Sequence, residues 1–373
     1  MEARKTLNFG MIGHKFMGKA HSHALRDVNM FFDTGVDVRM HTLCGIGDDL
    51  EQTARAYGWE NCETDWRKVV NDPQIDVISI CSPGVTHMEV AVAAAKAGKH
   101  VICEKPLAMS AEEAKQMCDA VTAGGVKHMI NFCYRRVPAV TLAKQLLDSG
   151  KIGRVTQFRA TYQQDWVDED CPFVWRFDKA IAGAGSMADK GSHVIDLARY
   201  LVGEIAETAA MSDIFIPTHK DPVTGEAKLV TTDDAAMFLT RFTNGVMGVF
   251  QTSRVSPGYK NALRFEVTGT CGTIRFDLER LNELELYCME EDKTAMGFKT
   301  IVVTEPVHPY IKSWWPLGHV LGWEHAFVHQ YYELIKAITS GTYCAPDFYD
   351  GLQNMRVIDA VERAADTKTW VTV

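Results

Sequence analysis

"TLNFGMIGHKFMGKAHSHALRDVNMFF" (Thr6–Phe32) reads in three pieces. Thr6–Ile12 is apolar and strand-like, Gly13–Gly18 is a glycine-bounded turn, and Gly18–Phe32 has a helical pattern. A strand, a tight turn and a helix start form the layout that seats a pyrophosphate, because the first helical N–H groups are unpaired and carry partial positive charge. The dinucleotide fingerprint is G-x-G-x-x-G. From Gly13 the chain reads Gly13-His14-Lys15-Phe16-Met17-Gly18. The outer glycines stand, and Lys15 occupies the place where a missing side chain lets backbone meet phosphate. Two readings stay open at this point. One is a nicotinamide-cofactor loop whose Lys15 turns away or meets the phosphates; the other is a plain strand–helix turn of a different α/β protein.

The rhythm continues outward. Val36–Cys44 reads as a strand and Asp48–Tyr57 as a helix; Asp76–Ser82 and Lys99–Glu104 read as strands around a helix at Thr86–Gly98. A helix at Ser110–Val121 and a strand at Lys127–Phe132 close the series. Alternating strands and helices imply a doubly wound parallel sheet, and all-apolar strands such as "VISIC" fit burial on both faces. Beyond Tyr134 the pattern changes. Helices are expected at Val137–Asp148 and Asp189–Leu201, then strands at Ala235–Thr243, Gly245–Ser253, Leu263–Thr270, Gly272–Leu278 and Glu283–Cys288. Consecutive strands make an open, largely antiparallel sheet. Helices at Glu324–Thr339 and Asp350–Thr367 end the chain. The expected division is a Rossmann domain over residues 1–134 and an α/β domain for substrate binding and oligomerisation over residues 135–373.

The 373 residues suit two domains of ordinary size. A formal charge of -9 with no Lys/Arg run makes nucleic acid a poor partner. No apolar run reaches the ~20 residues of a membrane span. The N-terminus enters a strand without an apolar signal core. The 10 cysteines have no C-x-x-C spacing and read as reduced thiols of a cytoplasmic protein. At the end of the second strand, "TLCGIGDD" puts Gly45 and Ile46 where an acid would favour NAD and an arginine NADP. With Asp48 and Asp49 close and no cation visible, the balance leans to NAD without excluding NADP.

Two segments carry more. "SICSPGVTHMEVAVAAAKAGKHVICEKPLA" (Ser79–Ala108) and "GAGSMADKGSHVIDLARYL" (Gly183–Leu201) closely resemble signatures of the Gfo/Idh/MocA oxidoreductase family, and "NFCYRRVPA" (Asn131–Ala139) resembles its interdomain segment. The resemblance covers nearly the whole chain. It implies NAD(P)-dependent oxidation of a secondary hydroxyl on a sugar, anhydrosugar, glycoside or inositol, in a homo-oligomer, dimer or tetramer. It also implies a cis bond at Lys105–Pro106. The "GHKFMGKAHS" loop and the aromatic tail Tyr310–Gln330 look like the branch containing levoglucosan and glucoside 3-dehydrogenases.

Oxidising a hydroxyl removes its proton as hydride leaves carbon, which calls for a base near neutral pKa and a cation on the oxygen. The resemblance assigns Lys105, Asp189 and His193 to this work. His193 is the general acid/base, Lys105 clamps the hydroxyl, and Asp189 holds substrate; Asp189 and His193, four apart, share a helix face. Asp196 reads as structural. Cofactor contacts are expected from Gly13, Lys15, Phe16, Met17 and Gly18, from Ser82, Pro83, Thr86 and His87, and from Glu104, Lys105, Asn131, Trp175 and Arg176. Substrate contacts are expected from Lys105, Tyr134, Arg135, Arg176, Asp189, His193 and His325. Blander roles remain for several: His87 as a helix-start residue, Trp175 as core, Arg176 paired with Asp178. His319, His325 and His329 lack H-E-x-x-H spacing, so no metal is expected. Two other classes stay open, namely glycoside cleavage through transient oxidation by held NAD, and a non-catalytic cofactor sensor.

Overall fold

The computed structural model describes residues 4–373. Its elements are β1 (Lys5–Ile12), α1 (Phe16–Phe31), β2 (Val36–Cys44), α2 (Leu50–Tyr57), β3 (Asn61–Glu63), α3 (Trp66–Asn71), β4 (Val77–Ile80), α4 (His87–Lys96), β5 (His100–Cys103), α5 (Ala111–Gly124) and β6 (His128–Ile130). Then come α6 (Pro138–Asp148), β7 (Val155–Gln163), α7 (Lys179–Ala182), α8 (Ser192–Leu201), β8 (Ile205–Asp213), β9 (Thr218–Lys220), β10 (Ala227–Leu229), β11 (Ala235–Phe242), β12 (Met247–Ser253), β13 (Ala262–Gly269), β14 (Gly272–Asp277), β15 (Glu283–Cys288) and β16 (Lys299–Val302). The chain closes with α9 (His325–Ser340), α10 (Phe348–Thr367) and β17 (Val371–Thr372).

Two compact units divide the chain. The first runs to Arg136 and also contains Gly322–Met355; the second holds Val137–Leu321 and the residues from Arg356 on. The expected division put everything after residue 134 in one domain, whereas Gly322–Met355 lies with the first unit. The reason is apolar. Tyr331 of α9 lies edge-on to Phe9 of β1, with ring centroids 5.8 Å apart, and both are buried.

The first unit's sheet has six strands in the order β3-β2-β1-β4-β5-β6, and every pair is parallel. Val77, Ile78 and Ile80 have no exposed surface, nor do Val101 and Ile102. That is burial on both faces, as expected of doubly wound strands. Strand order reverses between β1 and β4, the switch point where such sheets bind ligands beyond their carboxyl ends.

The second unit's sheet has nine strands, β16-β15-β14-β13-β7-β12-β11-β8-β17. Only the β7–β12 pair is parallel, so the sheet is mixed and mostly antiparallel. Of these strands β7, β8, β16 and β17 were not anticipated, and the first two are the long ones. β7 does alternate, burying Phe158, Ala160 and Tyr162, but polar residues fill its other face. The alanines of "IAETAAMSD" in β8 favour helix by intrinsic propensity. The sheet's packing decided both.

Inside this unit, Arg254 and Asp234 form a buried ion pair at 2.8 Å, with side chains 1% and 0% exposed. Arg254 also donates to the Arg176 and Thr232 carbonyls and lies over the Phe177 ring at 4.7 Å. Asp234 accepts from the Phe215 and Ile216 amides. Removing one member of such a pair strands the other charge. Arg254→Met should therefore lower unfolding free energy by about 3 kcal/mol in urea titration. A change below ~1 kcal/mol would show that the pair is not a structural tie.

Candidate active site

Four strand ends of the first unit carry most of the expected residues. β1 ends at Gly13, whose φ is +107°. A Cβ there would lie 2.5 Å from the Cys81 carbonyl carbon, so only glycine fits. A Cβ on Gly18 would lie 2.2 Å from the Gly13 oxygen, which explains the second glycine. Lys15 precedes α1 with φ -78°, which any residue adopts, and no side chain caps the first turn. The missing middle glycine is therefore not a backbone defect.

The Lys15 ammonium meets both Asp49 oxygens, at 2.7 and 2.9 Å. His14, 3% exposed, places Nε2 3.1 Å from Asp49 Oδ1. Gly45 makes room for that ring, because a Cβ there would meet His14 Nδ1 at 2.1 Å. Of the two acids close to the end of β2, Asp49, four residues beyond Gly45, is latched to the glycine loop. Hydrogen bonds from Lys15 and then His14 pull its carboxyl down to about 2.

Phe16 is 65% exposed and stacks on Trp323, with centroids 5.8 Å apart and planes at 14°. Trp323 also donates its indole N–H to the Tyr134 hydroxyl at 3.2 Å. Tyr134, 4% exposed, is thus wall rather than open surface. Arg135 pairs with Asp350 at 3.0 Å, which commits the guanidinium expected for substrate. His325 accepts from the Gly322 amide at the start of its own helix, and burial pushes its pKa below the ordinary value. Met17 is half-buried.

β4 runs into Ser82 and Pro83. Ser82 Oγ and Thr86 Oγ1 are 2.6 Å apart. His87 was expected to touch cofactor, but it is 1% exposed and its ring nitrogens face protein carbonyls. Nε2 is 2.8 Å from the Ser82 oxygen, and Nδ1 is 3.0 Å from that of Pro106. It ties the β4 turn to the β5 turn. Burial holds its pKa below the ordinary value. Lys105 follows β5, half-buried, and its bond to Pro106 is cis. Glu104, expected beside cofactor, is buried and bonded to His21 and Asn131. Asn131 follows β6; its Oδ1 is buried with no hydrogen-bond partner among the described residues.

In the second unit the D-x-x-x-H segment departs from the expected α-helix. Met187–Gly191 winds as a π-helical turn that runs into α8. Such wide turns often mark functional positions. Asp233 holds its start, accepting from the Gly185 and Met187 amides at 2.7 and 2.9 Å and from Ser186 Oγ at 2.6 Å. A Cβ on Gly185 would meet the Asp233 oxygen at 2.0 Å, which is the reason for the glycine-rich lead. Asp189 keeps 34% of its side chain exposed and pairs with Lys190 at 3.0 Å. Lys190 is itself 1% exposed and lies 5.6 Å from the Trp166 ring. His193, 7% exposed, packs against Tyr162 at 5.9 Å. Asp196 is buried. Arg176 lies over the Trp175 ring at 4.5 Å, while Asp178 caps α7 by accepting from Ala180.

Lys190 and Asp233 are the site residues that sequence reasoning missed, while Asp49 was noted only as an acid close to the end of β2. Among the described residues, no group of three or more His, Cys, Asp or Glu is placed to hold a metal.

A glycine loop at a parallel sheet's switch point, with a lysine at the next-but-one strand end, defines the class of dinucleotide-binding oxidoreductases. Comparison with known proteins agrees. Residues 7–132 match "Oxidoreductase family, NAD-binding Rossmann fold", residues 140–275 match "GFO/IDH/MocA C-terminal domain", and the chain belongs to this family. More narrowly, it is similar to levoglucosan dehydrogenase of Pseudarthrobacter phenanthrenivorans, with 40% identity covering 99% of this chain and 98% of that one. A levoglucosan dehydrogenase structure with NADH and levoglucosan matches with TM-score 0.95 and 41% identity, covering 99% of this chain and 100% of that one. An oxidoreductase domain protein from Kribbella flavida matches with TM-score 0.96 and 43% identity, covering 99% of each chain.

The Asp49 latch gives a pH prediction. A carboxylate held low stabilises the fold above its unfolded value of 3.8, and this is lost as pH falls through about 2. Lys15→Met removes the main cause, so the Asp49 carboxyl should titrate nearer its ordinary value in carbon-detected NMR. An unchanged titration would mean that Lys15 does not hold it.

Proposed function

We propose that the protein is an NAD-dependent dehydrogenase that oxidises a secondary hydroxyl of an anhydrosugar of the levoglucosan type. The observation that carries this is the end-to-end likeness to levoglucosan dehydrogenase, joined to an intact Lys105, Asp189 and His193.

The residues present fit the cofactor. Gly13 and Gly18 shape a turn before an uncapped helix start, and Asp49 offers a carboxylate at the end of β2. Ser82, Pro83 and Thr86 form the next strand-end turn, and Asn131 Oδ1 is an acceptor in need of a donor. These residues, with Phe16, Met17 and Lys105, would hold NAD. When bound, NAD supplies the hydride acceptor.

The chain's own groups handle the proton and the alkoxide. His193 takes the hydroxyl proton, and its burial against Tyr162 limits the ring's freedom. The Lys105 ammonium lies on the hydroxyl oxygen and stabilises negative charge as the proton leaves. Asp189 accepts from a neighbouring hydroxyl, and Lys190 fixes its carboxylate. Tyr134, Arg135 and His325 line the walls through their own protein contacts. Arg176 on Trp175 offers a donor beside an apolar ring, a pairing that suits a sugar.

We also propose a homo-oligomer, dimer or tetramer. Exposed Met211, Met237, Leu239, Met247 and Val249 lie on β8, β11 and β12, with Met237 beside Met211 and Leu239 beside Val249. A second copy of the chain would cover this apolar patch. The many cysteine thiols support a reducing, cytoplasmic setting. No helix among the described residues is long and apolar enough to cross a membrane.

Purified protein with NAD should give net NADH on levoglucosan, and less on inositols and glucosides. Glycoside cleavage with no net NADH would overturn the assignment. His193→Ala should lower kcat by roughly 10²–10⁴-fold while NADH still binds, read by NADH fluorescence titration. Loss of binding in a folded His193→Ala variant would sink the acid/base role.

A further inference from the structure

Glu104 is the residue of the "CEKP" turn that the reaction does not use. It is 4% exposed, and it is surrounded by a chain of polar groups drawn from across the first unit. His21 of α1 places Nε2 2.8 Å from Glu104 Oε1. The Asn131 amide donates to the same oxygen at 2.6 Å. On its other side, His21 Nδ1 is 2.7 Å from the Tyr331 hydroxyl of α9, which is 2.8 Å from Ser79 Oγ of β4. His21, Ser79 and Tyr331 are all 0% exposed.

The donors can run in one direction. Ser79 donates to Tyr331, Tyr331 to His21 Nδ1, and His21 Nε2–H to the carboxylate. The four groups from Ser79 to Glu104 are then each paired along the line, which is the condition under which a buried chain of hydrogen bonds fixes one geometry. The His21 ring is also held edge-on by Phe327 and Tyr331, at 5.4 and 5.5 Å.

What this geometry holds is the neighbour of Glu104. The second carboxylate oxygen, Oε2, accepts the Lys105 backbone N–H at 3.1 Å. The carboxylate therefore fixes the backbone from which the Lys105 side chain springs. Burial alone would raise the Glu104 carboxyl. The His21 hydrogen bond, the Lys105 charge and the Asn131 hydrogen bond together outweigh it and keep it below its ordinary value. Replacing a buried charged network by well-packed apolar residues of similar volume is often neutral for stability. A buried ionised network at this place thus calls for a reason beyond stability, and the adjoining lysine supplies one.

We infer that His21 and Tyr331 are positioning residues for Lys105, acting through the Glu104 carboxylate. The inference rests on the reading of Lys105 as the cation on the reacting hydroxyl. His21 lies in the cofactor-loop helix and Tyr331 in α9, 310 positions later. The line of contacts therefore makes the placement of one side chain depend on the docking of both helices.

The test is a double-mutant cycle in single-turnover NADH formation from NAD and levoglucosan. Tyr331→Phe deletes one oxygen and keeps the ring, and Ser79→Ala is the second, milder variant; circular dichroism and melting confirm folding. Tyr331→Phe should lower the hydride-transfer rate roughly three- to tenfold, with KM for NAD changed less than about twofold. In a Lys105→Ala background the same substitution should change the residual rate by less than about twofold, because the residue it positions is gone. An equal loss in both backgrounds, or no loss in the parent enzyme, overturns the inference. Full activity of Lys105→Ala alone overturns instead the role given to Lys105, so the two failures are told apart.

Discussion

The β1–α1 turn passes so close to the start of the β4 turn that no side chain fits between them. A Cβ on Gly13 would stand 2.5 Å from the Cys81 carbonyl carbon and 2.7 Å from the Ser82 nitrogen. This one approach sets where α1 begins, which strand ends lie beside it, and where the unpaired N–H groups of its first turn point. The helix must also come close to its own turn, and Gly18 permits that. Lys15 is tolerated because the middle position of this loop needs no positive φ. Its side chain leaves the loop and grips Asp49, so a position that normally provides backbone access here also ties two strand ends together.

The parallel half of the fold was legible because burial on both faces leaves an unmistakable run, as in "VISI" and "HVIC". Apart from β3 and α3, which were not anticipated, strand and helix boundaries there fell within a few residues of the pattern. The second half was legible only where apolar residues alternated strongly, as in β11 and β13. β8 resisted because alanine on both faces obscures a period of two. The return of Gly322–Met355 to the first unit was not legible. An amphipathic helix declares that it has an apolar face, and the pattern says nothing about which sheet will cover it.

The candidate site divides the same way. Lys105, Asp189 and His193 stood out through local spacing and the family's signatures. His87 and Glu104 sat in the same motifs, yet the structure buries both among protein acceptors and donors. A motif marks residues that a site needs, and some are needed to hold the turn itself. Two of the residues that were missed act at long range: Asp233 binds a helix start some 46–48 positions away, and Tyr331 binds His21 from 310 positions away. No spacing rule reaches that far.

The π-helical turn shows how local winding can serve a charge pair. Adjacent residues on an α-helix diverge by about 100°, which separates neighbouring side chains. A π turn winds more slowly, so the angle between neighbours shrinks and Asp189 and Lys190 can meet at 3.0 Å. Lys190 is buried where a lone ammonium would be costly, and the Asp189 carboxylate offsets that cost while keeping a third of its own surface open. The Arg254–Asp234 pair, by contrast, leaves neither group accessible. One buried ion pair closes on itself and holds the sheet's neighbours in place. The other is left open on one side, with its cation hidden and its carboxylate presented, which is the form a hydroxyl-binding acceptor has to take.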